Sequence, residues 1–242
     1  MKNIKFILLA SLLFSTFTSC FEAFHYIAFP KKPHPKKFQK LSNGKNKEIV
    51  IVPMVHLAKP KYYNTSTKII NTLRNDDFTI FYERVTYPKN ADSLTLDTLR
   101  RKMRKLVGSP FGLKLTDTLH RNVYPNFFSS GRYLQQSAEI AGYSYSLDKN
   151  VDLSVVEILD AYKKQFGEIE LTECDYKTKF NHRYWCDKLE NKSYVVEKLR
   201  EDFIIKNVLK SNAHKIALVY GKLHYKGLKE RLINEGFEKV KY

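Results

Sequence analysis

Three apolar runs in this chain have the length and composition of buried strands, and each ends in an ionisable residue. The runs cover residues 48–56, 78–83 and 217–224, and they end at His56, Glu83 and His224. Near-continuous apolar strands with amphipathic helical segments between them predict an α/β fold whose sheet is mainly parallel. In such sheets, ligands bind at the carboxyl ends of the strands. The sequence therefore predicts that these three residues form one site at that edge.

Helical patterns separate the strand runs along residues 48–242. Apolar spacing predicts helices at residues 65–73, 93–107, 131–141, 151–166, 192–209 and 225–234, with short strands at 143–147 and 237–241. About 195 residues of this kind fit a single domain with a full core. We therefore expect one α/β domain over residues 48–242, following a signal peptide and a basic linker.

The amino-terminal residues 1–19 have the pattern of a secretory signal peptide. Lys2 and Lys5 give a positive start, residues 6–14 are apolar, and small polar residues lead to Cys20. Residues 17–20 also resemble a bacterial lipobox, which predicts that Cys20 is lipidated and becomes the new amino terminus. Phe17 stands where Leu is usual, and an ordinary signal peptide with an incidental cysteine is the alternative.

Residues 20–47 are predicted to be a tether. Pro30, Pro33 and Pro35 interrupt a lysine-rich stretch that has little apolar surface to bury. Proline favours extended backbone and like charges repel, so this segment is expected to be an extended spacer.

The formal net charge of +17 favours anionic partners. Nucleic acid, an anionic membrane surface and an acidic protein would all suit such a charge. Predicted export argues against nucleic acid, and no recognition motif with stacking aromatic residues is present. We expect the membrane, reached through the lipid on Cys20, to be one partner and a peptide or small molecule to be the other.

Two cysteines remain in the predicted domain, Cys174 and Cys186. In an exported protein, a pair 12 positions apart is most simply a disulfide. Free thiols, or a metal site that includes His182, are the alternatives.

The residues before the two histidines have the same spacing. Gly221 stands three residues before His224, and Pro53 stands three residues before His56. Together with Glu83, this pattern resembles the TraB/PrgY/GumN/TIKI family, which is related more distantly to erythromycin-esterase-like and ChaN-like proteins. That family has two Gly-x-x-His motifs and an acidic residue after its second strand. The second motif matches in full, whereas the first has proline in place of glycine.

A fourth feature of the family is an arginine followed by Asn or Asp in a late helix. Arg200 is followed by Glu201 and Asp202, so one extra residue separates the basic and acidic partners. The resemblance implies a catalytic role for Arg200, because a guanidinium can clamp a carboxylate or a developing oxyanion. The alternative is a surface arginine that pairs with Glu197 or Glu201.

What the resemblance implies is a metal-dependent hydrolase, since peptidase activity is known in the TIKI branch. His56, Glu83 and His224 would hold Zn²⁺, Mn²⁺ or Fe²⁺, or Glu83 would act as general base with the histidines as the only ligands. The His-Glu-x-x-His motif of zincins is absent.

The expected function is therefore that of an exported, lipid-anchored hydrolase, acting on a peptide or a small ester or amide in the bacterial cell envelope, on its periplasmic or exterior side. The alternative is a non-catalytic binding protein that sequesters a peptide or signal molecule there. A third interpretation is a surface lipoprotein whose histidines serve the fold alone.

Overall fold

The computed structural model of the chain describes residues 38–108, 132–191 and 193–240. The predicted signal peptide, Cys20 and most of the tether lie outside these residues. The strands are β1 (Gln39–Ser42), β2 (Glu48–Met54), β3 (Leu57–Ala58), β4 (Thr79–Tyr82), β5 (Leu134–Gln135), β6 (Lys149–Asn150), β7 (Lys215–Gly221) and β8 (Glu238–Lys239). The helices are α1 (Pro60–Asn75), α2 (Ser93–Val107), α3 (Ala138–Ala141), α4 (Val155–Phe166), α5 (Glu173–Lys177), α6 (Arg200–Lys210) and α7 (Tyr225–Asn234).

A six-stranded sheet organises the fold, in the order β6-β4-β7-β2-β1-β8. The strands β6, β4, β7 and β2 run parallel to one another, whereas β1 pairs antiparallel with both β2 and β8. The prediction of an α/β fold with a mainly parallel sheet is confirmed. A separate pair, β3 with β5, stands beyond the end of β2.

Alternation along the strands divides the core between the two faces of the sheet. On β2, Val50 and Val52 pack on one face with α1, while Ile49 and Ile51 pack on the other with α6 and α7. Both faces are apolar, and this explains why the central strands read as continuous hydrophobic runs.

A third apolar cluster joins helices that follow the carboxyl ends of the strands. It combines Met103 and Leu106 of α2 with Ile158 and Tyr162 of α4, and with Val195. Asp92 caps α2 by accepting backbone hydrogen bonds, and Ser154 and Glu157 form a capping box on α4.

The sequence placed residues 38–47 in the tether, whereas Gln39–Ser42 forms strand β1. Leu41 is fully buried against the helices on one face, and β1 pairs with β2 along its whole length. A covered β2 edge exposes fewer backbone groups, which favours this pairing over an extended spacer.

The prediction of a helix over 131–141 and a strand over 143–147 is wrong for most of these residues. Leu134–Gln135 forms β5, and only Ala138–Ala141 is helical, because Ser137 caps that helix and Gly142 ends it in the left-handed region. Residues 143–148 form a turn in which Ser144 donates its backbone N–H to Asp148.

The chain between α4 and α6 contains the disulfide loop. Cys174 and Cys186 are joined by a disulfide. Beneath the loop lies a group of buried polar residues that we call the clamp, made of Arg104, Lys105, Asp175 and Tyr184. Arg104 is fully buried and donates hydrogen bonds to the backbone carbonyls of Asp175 and Thr178. Among the described helices, none combines the length and apolarity that a membrane crossing would need.

Candidate functional site

Four neighbouring parallel strands each deliver one ionisable residue to the same edge of the sheet. Asp152 follows β6, Glu83 follows β4, His224 follows β7, and His56 follows β2. The two strands before the histidines are direct neighbours, with Met54 paired to Gly221. The adjacency that a shared site requires, which the sequence alone could not establish, is therefore present.

Glu83 lies at the centre of this edge and is held from several sides. Its backbone N–H donates to Val219, which extends the pairing of β4 with β7. One carboxylate oxygen accepts a hydrogen bond from the Arg200 guanidinium at 2.5 Å, and the other accepts one from the backbone N–H of Gly221 at 2.5 Å. A Cβ on Gly221 would stand 2.9 Å from the second oxygen, so glycine at 221 gives Glu83 its place.

Arg200 is the buried cation that joins two strands. It is only 6% exposed and donates to both carboxylate oxygens of Asp152, from Nε at 2.9 Å and from Nη2 at 2.6 Å. The same side chain reaches Glu83, and these paired carboxylates keep its pKa above the ordinary value in spite of burial. The surface-pairing alternative is wrong, since the side chain is buried at the edge of the sheet. In this arrangement Arg200 is a positioning residue for Glu83, and a catalytic role stays a prediction.

A short π-helical segment, Tyr194–Leu199, precedes Arg200. The sequence predicted one uninterrupted helix over 192–209. The consecutive residues Arg200 and Glu201 are both buried, and they serve different neighbours. π-Helical turns are frequent at functional sites.

His224 is the most enclosed of the predicted ligands. It is 3% exposed and ends the 3₁₀ turn Lys222–His224 that follows β7. Its Nδ1 lies 3.3 Å from a carboxylate oxygen of Glu201, and its Nε2 lies 3.6 Å from Glu83. Burial lowers the pKa of His224, but these two carboxylates outweigh it and raise that pKa to about 9. His224 therefore carries a positive charge at neutral pH.

Glu201 extends the network to α7. Its second oxygen pairs with Arg231 at 2.7 Å, and Arg231 also pairs with Asp202 at 2.6 Å. The Glu201 carboxylate lies against Gly227, where a Cβ would overlap it. Gly227 therefore makes room in α7 for a buried carboxylate.

These contacts form a continuous series of alternating charges that we call the charge chain, running through Asp152, Arg200, Glu83, His224, Glu201, Arg231 and Asp202. Burial alone would raise the pKa of Glu83, but contact with His224 and the charge of Arg200 outweigh it and hold that pKa well below the ordinary value. Glu83 is thus a firmly ionised carboxylate and a weak base. Perturbed ionisable groups gathered at one edge favour a functional site.

His56 differs from the rest because it is exposed to solvent. It is close enough to Glu83 for its charge to contribute to the lowered pKa of that carboxyl group. Its backbone carbonyl accepts a hydrogen bond from Gln136 at 2.9 Å, so the β3–β5 pair fixes the chain beside it. An exposed imidazole at this position is accessible to a substrate, and histidine is the side chain that acts most often as a general acid or base in catalysis.

The predicted metal ligands do not form a complete ligand set as they are arranged. Glu83 and His224 approach each other, yet within the described ranges no group of three His, Cys, Asp or Glu side chains is placed to hold a metal ion. The carboxylate of Glu83 is engaged by Arg200 and Gly221, and His56 is exposed to solvent. A metal held by His56, Glu83 and His224 stays a prediction, and no chemical step is assigned to it.

Sequence reasoning missed three charged members of the network. Asp152 falls inside the helix that the sequence predicts over 151–166, Glu201 enters only as a possible surface partner of Arg200, and Arg231 has no distinguishing pattern. Asp152 follows a strand of two residues, which is too short to recognise from its pattern. Gly227, inside a helix that has no apparent use for glycine, was the available signal for Glu201.

His182, the proposed third ligand beside the cysteines, is exposed and contacts Asn181 at 2.9 Å. The disulfide leaves both sulfurs unavailable as thiolate ligands.

Comparisons with known proteins found no match among family models, curated proteins or solved structures. The TraB/PrgY/GumN/TIKI resemblance therefore depends on the sequence around His56, Glu83, Arg200 and His224.

Proposed function

We propose that the protein is a hydrolase that acts on a peptide or a small ester or amide, exported and held at the bacterial cell envelope by lipid on Cys20. The observation that supports this proposal best is the delivery of Asp152, Glu83, His224 and His56 by four adjacent strands to one edge. Burying so many charges is costly, so their retention at a single edge favours use over mere stability.

The site residues are of two kinds: buried residues that are ionised, and one histidine that is exposed to solvent. Glu83 and Arg200 fix each other, and the protonated His224 presents an imidazolium beside them. An imidazolium can stabilise negative charge that develops on a substrate oxygen or donate a proton to a leaving group. His56, exposed and adjacent, is the group that would accept a proton from the attacking water.

A screen for hydrolysis in heavy-oxygen water tests this proposal without knowledge of the substrate. The full chain is incubated with pools of peptides, esters and amides, and products are examined by mass spectrometry for label in a new carboxyl group. We expect label with the wild-type protein and none with a folded Glu83→Gln variant. If no pool yields a product with label in a new carboxyl group, the result would contradict hydrolysis.

Metal dependence is a separate prediction with its own measurement. Elemental analysis of the full chain is compared with that of a His56→Ala/His224→Ala variant after incubation with Zn²⁺, Mn²⁺ and Fe²⁺. Near-stoichiometric metal in the wild type and none in the folded variant would support ligation by these residues. Wild-type protein that binds no metal would contradict metal dependence. Hydrolysis by the side chains alone would then be tested by the heavy-oxygen screen.

The enclosure of the charge chain favours one alternative, a protein that sequesters a peptide or signal without turning it over. His224 is nearly inaccessible, and both Glu83 oxygens already have donors. Such a protein would retain ligand from the same peptide pools while releasing no labelled product.

A further inference from the structure

The disulfide loop carries the only tryptophan of the chain at its surface. Trp185 is 73% exposed. A single exposed aromatic residue is ordinary in a soluble protein. Trp185 differs because basic side chains accompany it, and together they make a surface with a defined chemistry. We call residues 176–186 the Trp185 loop.

The Trp185 loop is basic and contains no acidic residue. Its ionisable side chains besides the tyrosines are Lys177, Lys179, His182 and Arg183. Lys177 pairs with Glu173, but Lys179 and Arg183 form no ion pair with any residue that the structure describes. The Arg183 guanidinium lies over the Trp185 ring at 4.3 Å.

These side chains border one open hollow of about 770 Å³, lined by Lys177, Thr178, Lys179, His182, Arg183 and Trp185. Basic side chains and an indole ring around an open hollow suit a molecule that carries a phosphate group next to an apolar part.

The loop is held in this shape from below. The disulfide links its base, and Arg104 donates to the carbonyls of Thr178 and Lys179 at 2.9 and 3.3 Å. Tyr184 donates to Asp175 at 2.5 Å and its ring faces the Arg104 guanidinium. A clamped loop loses little conformational entropy when its exposed residues bind a surface.

We propose that the Trp185 loop binds the surface of an anionic phospholipid membrane. Trp185 lies at the level of the headgroups, where amphipathic aromatic rings are favoured, and Lys179 and Arg183 contact the phosphates. The long basic side chains keep their charged ends in water while their stems lie beside the indole ring. This interaction is independent of lipid on Cys20 and of hydrolysis.

The single tryptophan allows a local test on the full chain. The protein is reconstituted with vesicles of phosphatidylglycerol and, separately, of phosphatidylcholine, and the emission of Trp185 is recorded. We expect a blue shift and quenching by brominated lipid with phosphatidylglycerol only, reversed by about 1 M salt because screening then reaches contact distance. The lysine-rich tether cannot produce this signal, since it contains no tryptophan.

Two double variants that each lose two positive charges test whether the change in Trp185 emission depends on the basic residues of the loop. In Lys179→Gln/Arg183→Gln the ratio of membrane-bound to free protein should fall roughly twenty-five-fold, because each basic residue lost near an anionic surface lowers it about fivefold. The matched control, Lys61→Gln/Lys68→Gln, removes two exposed charges from α1 and should leave the signal unchanged.

Three results would overturn the proposal. One is an equal shift with phosphatidylcholine, and another is an equal loss in both variants. The third is the same shift with inorganic phosphate alone, which would assign the hollow to a free phosphate compound.

Discussion

The charge chain and the clamp both bury an arginine, but they use it differently. In the clamp, Arg104 donates mainly to backbone carbonyls and so fixes the path of a loop. In the charge chain, Arg200 donates to carboxylates that arrive from two separate strands. The role of Arg104 is therefore to fix the conformation of a loop. Arg200 instead holds ionised carboxylates in place beside the exposed His56. Apolar residues would stabilise the fold as well as these buried charges do, so the charges favour a functional role.

The largest expected effect separates the two arginines. Arg200→Ala leaves Glu83 and Asp152 buried without their counter-charge and should lower the free energy of unfolding by about 3–5 kcal/mol. Arg104→Ala removes charged hydrogen bonds to carbonyls and should cost about 2–3 kcal/mol. Urea unfolding measures both. Equal costs, with hydrolysis lost in neither folded variant, would erase the distinction.

The disulfide should matter for stability but not for hydrolysis. Cys174→Ala/Cys186→Ala releases a short loop and should cost about 3 kcal/mol. Because the loop is not part of the charge chain, label incorporation per folded molecule should equal that of the wild type. Lost incorporation in a folded variant would show that the two regions are coupled.

The pH dependence of stability should differ at the two ends of the scale. His224 has a pKa raised from 6.5 to about 9 by Glu201 and Glu83, so its contribution is complete below 6.5 and is lost as pH rises through 9. The loss should reach about 3 kcal/mol. Unfolding between pH 6 and 10 measures it, and His224→Gln should flatten this limb.

Asp175 in the clamp acts at the opposite end. Burial raises its pKa, but hydrogen bonds from Tyr184 and Thr172 bring it down from 3.8 to about 2. Its contribution is present above 3.8 and is lost as pH falls toward 2. Asp175→Asn should therefore alter the acid limb and leave the alkaline limb as it was; a changed alkaline limb would contradict the assignment.

The smallest expected effect has an unusual sign. Replacing a glycine inside a helix with alanine normally raises the free energy of unfolding by up to about 1 kcal/mol. Gly227→Ala should instead cost about 1–3 kcal/mol, because the new Cβ displaces the Glu201 carboxylate. Thermal unfolding decides, and a stabilised variant would mean that Glu201 has another position to occupy.

The strands β2, β4 and β7 could be predicted from their continuous apolar runs, and the helices α2 and α7 could be predicted from the helical spacing of their apolar residues. The short elements could not, since β5 and β6 of two residues each depend on tertiary pairing rather than on local pattern. Of the site, Glu83 and the two histidines could be predicted from their positions at strand ends. Their partners Asp152 and Glu201 could not, because only the fold brings them to Arg200 and His224.

The most direct test of the central claim compares two exposed histidines. His56 lies at the sheet edge and His182 on the Trp185 loop, so replacing either with alanine should leave the unfolding free energy almost unchanged. In heavy-oxygen water, on a substrate found with the wild type, we predict that His56→Ala loses label incorporation while His182→Ala retains it. Full incorporation by a folded His56→Ala variant would contradict the assignment of this edge as the active site.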